Sequence, residues 1–191
     1  YDLELLYTAN KHEEGLKAAK DKHAANPEDI DLYWHISRFL FEIGERFDRN
    51  DTTVDKSAMY QEMLDWAEKG LAKDPEHIHL WFAKGVAMGR QSTTKGVLGM
   101  MWMLQDIEEA FLKVAESGYT YKAMGTGEHL PCHAYQTLGI YYRLVPDSWF
   151  VQMLARTRGS LDKSLEWMEK ANACSPGRIG IMKELAIMKR Q

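Results

Sequence analysis

The sequence lacks any apolar run long enough to cross a bilayer, and it has no overall basic charge. Its most apolar stretch, GVLGMMWML at 96–104, is well short of the roughly 20 residues that a membrane-spanning helix requires. The net charge is −4, so no basic field attracts a polyanion. We therefore expect neither a transmembrane segment nor a nucleic-acid partner. The chain begins at Tyr1 rather than Met, which suggests a soluble domain from which a targeting or anchor segment was removed and leaves the compartment open.

Cysteines and enzyme motifs are also scarce. Cys132 and Cys174 form no CxxC pair, so the sequence predicts two buried or half-buried free thiols rather than a zinc knuckle or redox motif. His129 and His133 are four residues apart, but a third metal ligand would have to come from Glu128 or Cys132. No GxxxxGK[ST], GxGxxG, GxSxG or HExxH motif occurs. We therefore predict no catalytic residue, cofactor or metal, and no enzyme activity.

Strand patterns are nearly absent as well, and the chain reads as all helical. Three helical patterns end in a short polar residue followed by proline, in the segments 22–29, 70–77 and 170–177. Proline cannot continue a helix, and it moves the residue before it out of helical geometry. A fourth pattern, at 113–120, ends instead at Gly118. These recurring terminators indicate an internal repeat.

The helices that follow the terminators share one pattern, in which a large residue is followed three residues later by a medium-sized residue and then directly by a small one. It occurs as Tyr33-x-x-Ile36-Ser37, Trp81-x-x-Lys84-Gly85, Tyr135-x-x-Leu138-Gly139 and Met182-x-x-Leu185-Ala186. The small residue lets a facing helix approach closely. Equivalent positions are separated by 48, 54 and 47 residues. The predicted helices span 11–25, 29–47, 56–73, 76–90, 103–117, 130–144, 160–174 and 178–190.

The aromatic-x-x-Leu-Gly-x-x-Tyr pattern, with a second helix that ends before proline, resembles the tetratricopeptide repeat (TPR), whose usual length is about 34 residues. The resemblance implies an all-α, right-handed superhelical stack of TPR-like hairpins with long inter-helix insertions. We predict a single domain over 1–191, with about four units and a terminal helix at 178–190 that caps the stack.

The extra length of each repeat lies between its two helices, and two of the insertions are apolar. The segments DLYWHISRFLFEIGE (31–45), WAEKGLAKDPEHIHLWFAKGVAMG (66–89) and the aromatic-rich 133–176 together resemble the regulator of microtubule dynamics family. That family consists of TPR-like proteins with long insertions, some of them microtubule-associated, membrane-tethered or lipid-handling. No catalytic motif accompanies the resemblance.

In such stacks the first helix of each hairpin lines a concave face that recognises a partner. We therefore predict a non-catalytic binding or scaffold module that takes a protein or peptide on this face. Lys84, Arg90 and Arg143 would receive a carboxylate or phosphate. The full predicted set is His35, Arg38, Phe39, Lys84, Met88, Arg90, Gln136, Tyr142 and Arg143.

The apolar insertions support an alternative function, in which segments 97–104 and 148–155 enclose a small hydrophobic or lipid-like molecule. The pocket would be lined by Leu98, Met101, Trp102, Trp149, Phe150 and Met153. Two other interpretations of 97–104 are open at this point. The run would pack as ordinary core through Leu98, Trp102 and Leu104, or it would form an exposed patch for a membrane surface or a protein.

Overall fold

The computed structural model describes residues 2–48, 51, 53–92, 101–123 and 129–188. Contacts divide the chain into two compact units, Tyr1–Gly96 (unit 1) and Val97–Gln191 (unit 2). The single domain over 1–191 stays a prediction.

Unit 1 consists of helices that pack mainly on their neighbours in sequence, and α3 also packs on α5. Their bounds are α1 Leu3–Thr8, α2 His12–Ala25, α3 Ile30–Glu45, α4 Lys56–Lys73 and α5 Ile78–Ser92. The core of the unit lies between α2, α3, α4 and α5. It includes Ala19, Ile36, Phe39 and Leu80, all of which are fully buried.

Unit 2 contains five described helices and one short pair of strands. Their bounds are α6 Leu104–Glu116, β1 Tyr121–Lys122, β2 His129–Leu130, α7 Cys132–Leu144, α8 Trp149–Ala155, α9 Leu161–Cys174 and α10 Ile179–Met188. The strands are antiparallel, with Tyr121 opposite Leu130 and Lys122 opposite His129. Helix α7 packs on α6 and α9, and α10 packs on α9, where Ile181 is buried with Met168 and Ala171.

The predicted helix terminators are confirmed. Helices α2, α4 and α9 each end two residues before the proline of their terminator, and Gly118 after α6 adopts a φ of 71°. Side-chain caps fix several starts: the carboxylate of Asp55 accepts a hydrogen bond from the Ala58 N–H at 2.9 Å. Ser160 caps α9 in the same way. Local chemistry therefore sets the hairpin boundaries.

The predicted close approach is confirmed at Ser37 and Gly139, whereas Ala186 of the last pattern is exposed. The Ser37 hydroxyl is fully buried and donates to the backbone carbonyls of Tyr33 and of Met63, which lies on the facing helix α4. A Cβ added at Gly139 would lie 2.7 Å from the terminal methyl of Met168 on α9. Larger side chains at these positions would push the paired helices apart.

The all-α architecture of TPR-like hairpins is confirmed, and the eight predicted helices are found with ends shifted by at most a few residues. The last one is described to Met188, and residues 189–191 lie outside the described part of the chain. Helix α1, helix α8 and the strand pair were not predicted. None of the helices in the described ranges is long and apolar enough to cross a membrane.

Candidate functional site

In unit 1, the surface formed by α1 and α3 carries the first group of predicted site residues. Arg38 lies on α3, and its guanidinium forms an ion pair with Glu4 of α1. The Arg38 Cζ atom lies 3.3 Å from the centre of the Tyr7 ring, and the Tyr7 hydroxyl donates to Glu42 at 2.6 Å. These four residues, with His35, are called the Arg38 cluster.

Arg38 is unusual because it is a charged side chain with only 5% of its surface exposed. Its Nε and Nη2 atoms are buried without a hydrogen-bond partner. Burial opposes the positive charge, but Glu4 and Tyr7 outweigh that penalty and hold the pKa of Arg38 above its ordinary value. The guanidinium is therefore charged, and its ion-pair partner is the carboxylate of Glu4 on the six-residue helix α1.

His35 lies one turn before Arg38 on α3. Burial, and next the nearby Arg38 charge, lower the pKa of His35 to about 4, so the ring is neutral at pH 7. Its Nδ1 atom is 3.9 Å from a Glu4 carboxylate oxygen, too far for a hydrogen bond. His35 is thus a neutral, half-buried side chain in the Arg38 cluster.

This lowered pKa predicts a pH-dependent stability for unit 1. The folded state favours neutral His35, so the contribution is complete above the unfolded pKa of about 6.5 and is lost as pH falls toward 4. Between pH 7.5 and pH 4.5, the wild type should lose about 2 kcal/mol more unfolding free energy than His35→Gln, because the variant has no imidazole to protonate. Urea unfolding at both pH values measures it, and the pH 7.5 value isolates the packing cost of the variant. Identical pH dependence in both proteins would contradict this assignment.

The other predicted residues of unit 1 do not form an open binding face. Phe39 is fully buried, with its ring filling the space beside Gly15, and Met88 is 4% exposed, so their prediction as surface residues is wrong. Lys84 is 3.5 Å from a Glu68 carboxylate oxygen, and Arg90 donates to Glu45 at 2.6 Å. The two cations are thus already paired with acids of their own unit.

In unit 2, the predicted residues of α7 hold neighbouring helices in place. Tyr142 is 3% exposed and its hydroxyl donates to Glu108 of α6, so its prediction as a groove residue is wrong. Arg143 forms a two-point ion pair with Glu184 of α10, at 2.8 and 3.0 Å. Gln136 is half-buried beside Gly180 of the same helix. Arg143 and Gln136 therefore contact the terminal helix.

The apolar insertions contain the most exposed aromatic side chains of unit 2. Leu98 lies outside the described residues, and Leu104 is buried, as the core interpretation predicted. Met101, which was predicted to line the ligand pocket, is buried as well. Trp102 is 74% exposed, so its prediction as core is wrong. The run 101–104 therefore divides its side chains between core and surface.

Helix α8 presents a continuous apolar surface to solvent. Trp149 is 73% exposed, Phe150 50% and Met153 59%, and the two rings contact each other edge to face. Leu154 beside them is also exposed, at 37%, and these four residues form what we call the α8 surface. Trp149, Phe150 and Met153 were predicted to line a pocket that encloses a hydrophobic molecule, and side chains this exposed do not fit that prediction.

The α8 segment begins with a side-chain cap of its own, and its C-terminal end is fixed to α7. The Ser148 hydroxyl caps the helix by accepting from the Val151 N–H at 3.2 Å. After α8, the chain returns so closely that a Cβ at Gly159 would lie 1.9 Å from the Val145 carbonyl oxygen. The Ser160 N–H then donates to the Tyr142 carbonyl at 2.9 Å. The α8 surface is therefore held on a defined helix.

The prediction of two free thiols is wrong, because Cys132 and Cys174 form a disulfide. Their Cα atoms are 5.5 Å apart, within the range that a disulfide requires. The bond joins the first residue of α7 to the last residue of α9, the two helices of one hairpin. Sequence spacing alone could not predict it, since the cysteines are 42 residues apart.

These features define a class of protein. Consecutive helix hairpins, proline-ended second helices and small residues at the crossing points are the architecture of TPR proteins. No protein-family model matches the sequence, and no curated protein is significantly similar to it. The resemblance to the regulator of microtubule dynamics family is therefore not confirmed.

Similar solved structures carry the same fold. A crystal structure of MamA has a TM-score of 0.59 and 15% identity, covering 100% of this chain and 84% of that one. The thermophilic TPR protein TTC0263 of Thermus thermophilus has a TM-score of 0.62 and 13% identity, covering 97% and 77%. A double mutant of MamA RS-1 has a TM-score of 0.56 and 18% identity, covering 98% and 79%. At these identities the likeness shows the fold alone.

Proposed function

We propose that the protein is a non-catalytic binding module that docks a protein partner on the α8 surface of unit 2. The observation that carries this proposal is the exposure of Trp149, Phe150 and Met153 together on one short helix. Apolar patches on folded proteins mark interaction sites, and tryptophan is enriched among the residues that dominate binding energy.

The α8 surface also has the rigidity that affinity requires. Val151 and Ala155 are buried, so one side of the helix is anchored while the other faces solvent. The close return at Gly159 and the hydrogen bond from Ser160 fix the C-terminal end of the segment. A partner would therefore bind preformed aromatic anchors and lose little conformational entropy on the side of this protein.

Recognition on the first helices stays a proposal for the residues that are not buried in the core. Arg38 is buried, so its prediction as a surface residue is wrong. His35 and Gln136 are half-buried, while Lys84, Arg90 and Arg143 each have an acidic partner within their own unit. A partner carboxylate would have to compete with those acids. A relationship to the regulator of microtubule dynamics family, and any microtubule or lipid role, would also be tested by identifying the partner.

The double variant Trp149→Ala/Phe150→Ala should lose partner binding while it remains folded. Truncating both anchors should weaken binding by at least about thirtyfold, because the loss of a single such anchor already costs about 2 kcal/mol or more. Stability should change little, since both side chains are largely exposed. The measurement is affinity capture from the source cells with quantitative mass spectrometry, followed by titration of the captured partner.

The matched control is Leu5→Ala, which removes an apolar side chain that is 60% exposed on α1, in unit 1. Proteins captured by the wild type and by this control, but not by the double variant, would be partners of the α8 surface. Equal capture by all three proteins would contradict the proposal. Co-purification of a small hydrophobic molecule would instead favour the carrier function.

A further inference from the structure

We propose that His129, Cys132 and Cys174 bind a zinc ion when the disulfide is reduced. This site goes beyond the proposed partner binding and does not depend on it. The ligand atoms of the three residues all lie within 4.8 Å of one another. The His129 Nε2 atom is 3.4 Å from the Cys132 sulfur. Imidazole nitrogen and thiolate sulfur are the ligands that zinc prefers in proteins.

The spacing of these atoms suits tetrahedral zinc. With Zn–S near 2.3 Å and Zn–N near 2.0–2.1 Å, neighbouring ligand atoms are about 3.5–3.8 Å apart. The His129 nitrogen and the Cys132 sulfur already have nearly this separation. After reduction, the two sulfurs need only move apart by side-chain rotation, since their Cα atoms are 5.5 Å from each other.

Three different elements of unit 2 hold the three ligands. His129 lies in β2 opposite Lys122, Cys132 begins α7, and Cys174 ends α9. Cys132 is 1% exposed, while His129 and Cys174 are half-buried, so an ion would enter from their side. The strand pair and the hairpin thus bring the three ligand residues together at one place.

His133 supports this cluster without being a ligand. Its Nδ1 atom lies 3.3 Å from the His129 backbone nitrogen, and its Nε2 atom contacts the Arg178 guanidinium. Both ring nitrogens are therefore engaged already. Three protein ligands leave the fourth position of a tetrahedral zinc ion to a water molecule.

Reduction of the disulfide by a dithiol accounts for all the electrons and protons of the change from crosslinked to zinc-binding protein. A dithiol attacks the Cys132–Cys174 bond, becomes a disulfide itself, and leaves two protein thiols, so two electrons and two protons enter the protein. Zinc then binds both sulfurs as thiolates, which releases those two protons, while neutral His129 donates a lone pair from Nε2. The start of α7 and the end of α9 remain linked, covalently when oxidised and through the metal when reduced.

The experiment compares oxidised and reduced full-length protein. Reduction with dithiothreitol, followed by anaerobic desalting, should yield a protein that binds one zinc ion per chain in competition with a colorimetric chelator. The oxidised protein should bind none at this site. Cobalt should give the tetrahedral, thiolate-bound spectrum, and zinc should protect both thiols from alkylation and raise the Tm of the reduced protein.

Variants decide which residues are ligands. His129→Ala should weaken zinc binding at least about tenfold, and Cys132→Ser/Cys174→Ser should abolish it. The matched control is His77→Ala in unit 1, which should bind zinc like the wild type. Zinc binding by the reduced wild type no tighter than by the double serine variant would overturn the proposal, and so would unchanged binding by His129→Ala.

Discussion

Cys132→Ser should destabilise oxidised unit 2 by about 3–4 kcal/mol. The disulfide closes a loop of 42 residues in sequence, and a loop of that length gives about 4 kcal/mol in the chain-entropy description of the unfolded state. The loss is large because a unit of this size has a total stability of only about 5–15 kcal/mol. The measurement is urea unfolding followed by circular dichroism, with native-state hydrogen exchange to assign the loss to unit 2.

Two controls separate the bond from the side chain. Cys174→Ser removes the same bond from its other end and should give the same loss. With a chelator and a reductant present, wild type and Cys132→Ser should have nearly equal stability, because neither then has a crosslink. Equal unfolding free energies for the oxidised wild type and the variant would contradict the prediction.

The second large effect is expected at Glu4, which is far from any predicted site residue in sequence. Glu4→Ala removes the carboxylate that forms an ion pair with the buried Arg38 guanidinium, and breaking one side of a buried ion pair costs about 3–5 kcal/mol. Because the Glu4 side chain is 25% exposed, we expect about 2–3 kcal/mol for unit 1. Urea unfolding of the full chain measures the loss.

Arg38→Met should be much less damaging than Glu4→Ala. Methionine keeps the apolar contacts with Tyr7 and Trp34 and removes the charge that needs compensation. The double variant should therefore be more stable than Glu4→Ala alone, which a double-mutant cycle would show directly. If Arg38→Met is instead the more destabilising change, stacking of the guanidinium on the rings stabilises unit 1 more than its charge does.

The helical architecture could be predicted because its determinants are local. Helix α4 has the bounds predicted for it, since Asp55 caps its start and Asp74-Pro75 prevents its continuation. Small residues such as Gly139 mark helix crossings within a short sequence window. Repetition of these signals then indicated hairpins without knowledge of any contact.

Most of the candidate site could not be predicted, because it depends on contacts between distant residues. Glu4 and Arg38 are 34 positions apart, and Cys132 and Cys174 are 42 apart. The sequence pattern also predicted Phe39 and Tyr142 as surface residues, although each fills a gap between helices. Helix α8 had a recognisable sequence signal, the Ser148 N-cap before an apolar run, but the prediction treated 148–155 only as part of an apolar insertion.

The return of the chain at Gly159 has a consequence for how this hairpin can be altered. Because Ser160 bonds back to Tyr142, the segment 146–159 leaves and rejoins the hairpin at adjacent points of the backbone. Its buried residues Val151, Ala155 and Thr157 tie it to the hairpin, with Thr157 accepting from the Tyr141 hydroxyl of α7, whereas its exposed side chains take no part in the pairing of α7 with α9. Under the proposed function, changing only the exposed side chains of α8 would change the surface offered to a partner, while the buried side of the helix keeps its place on unit 2.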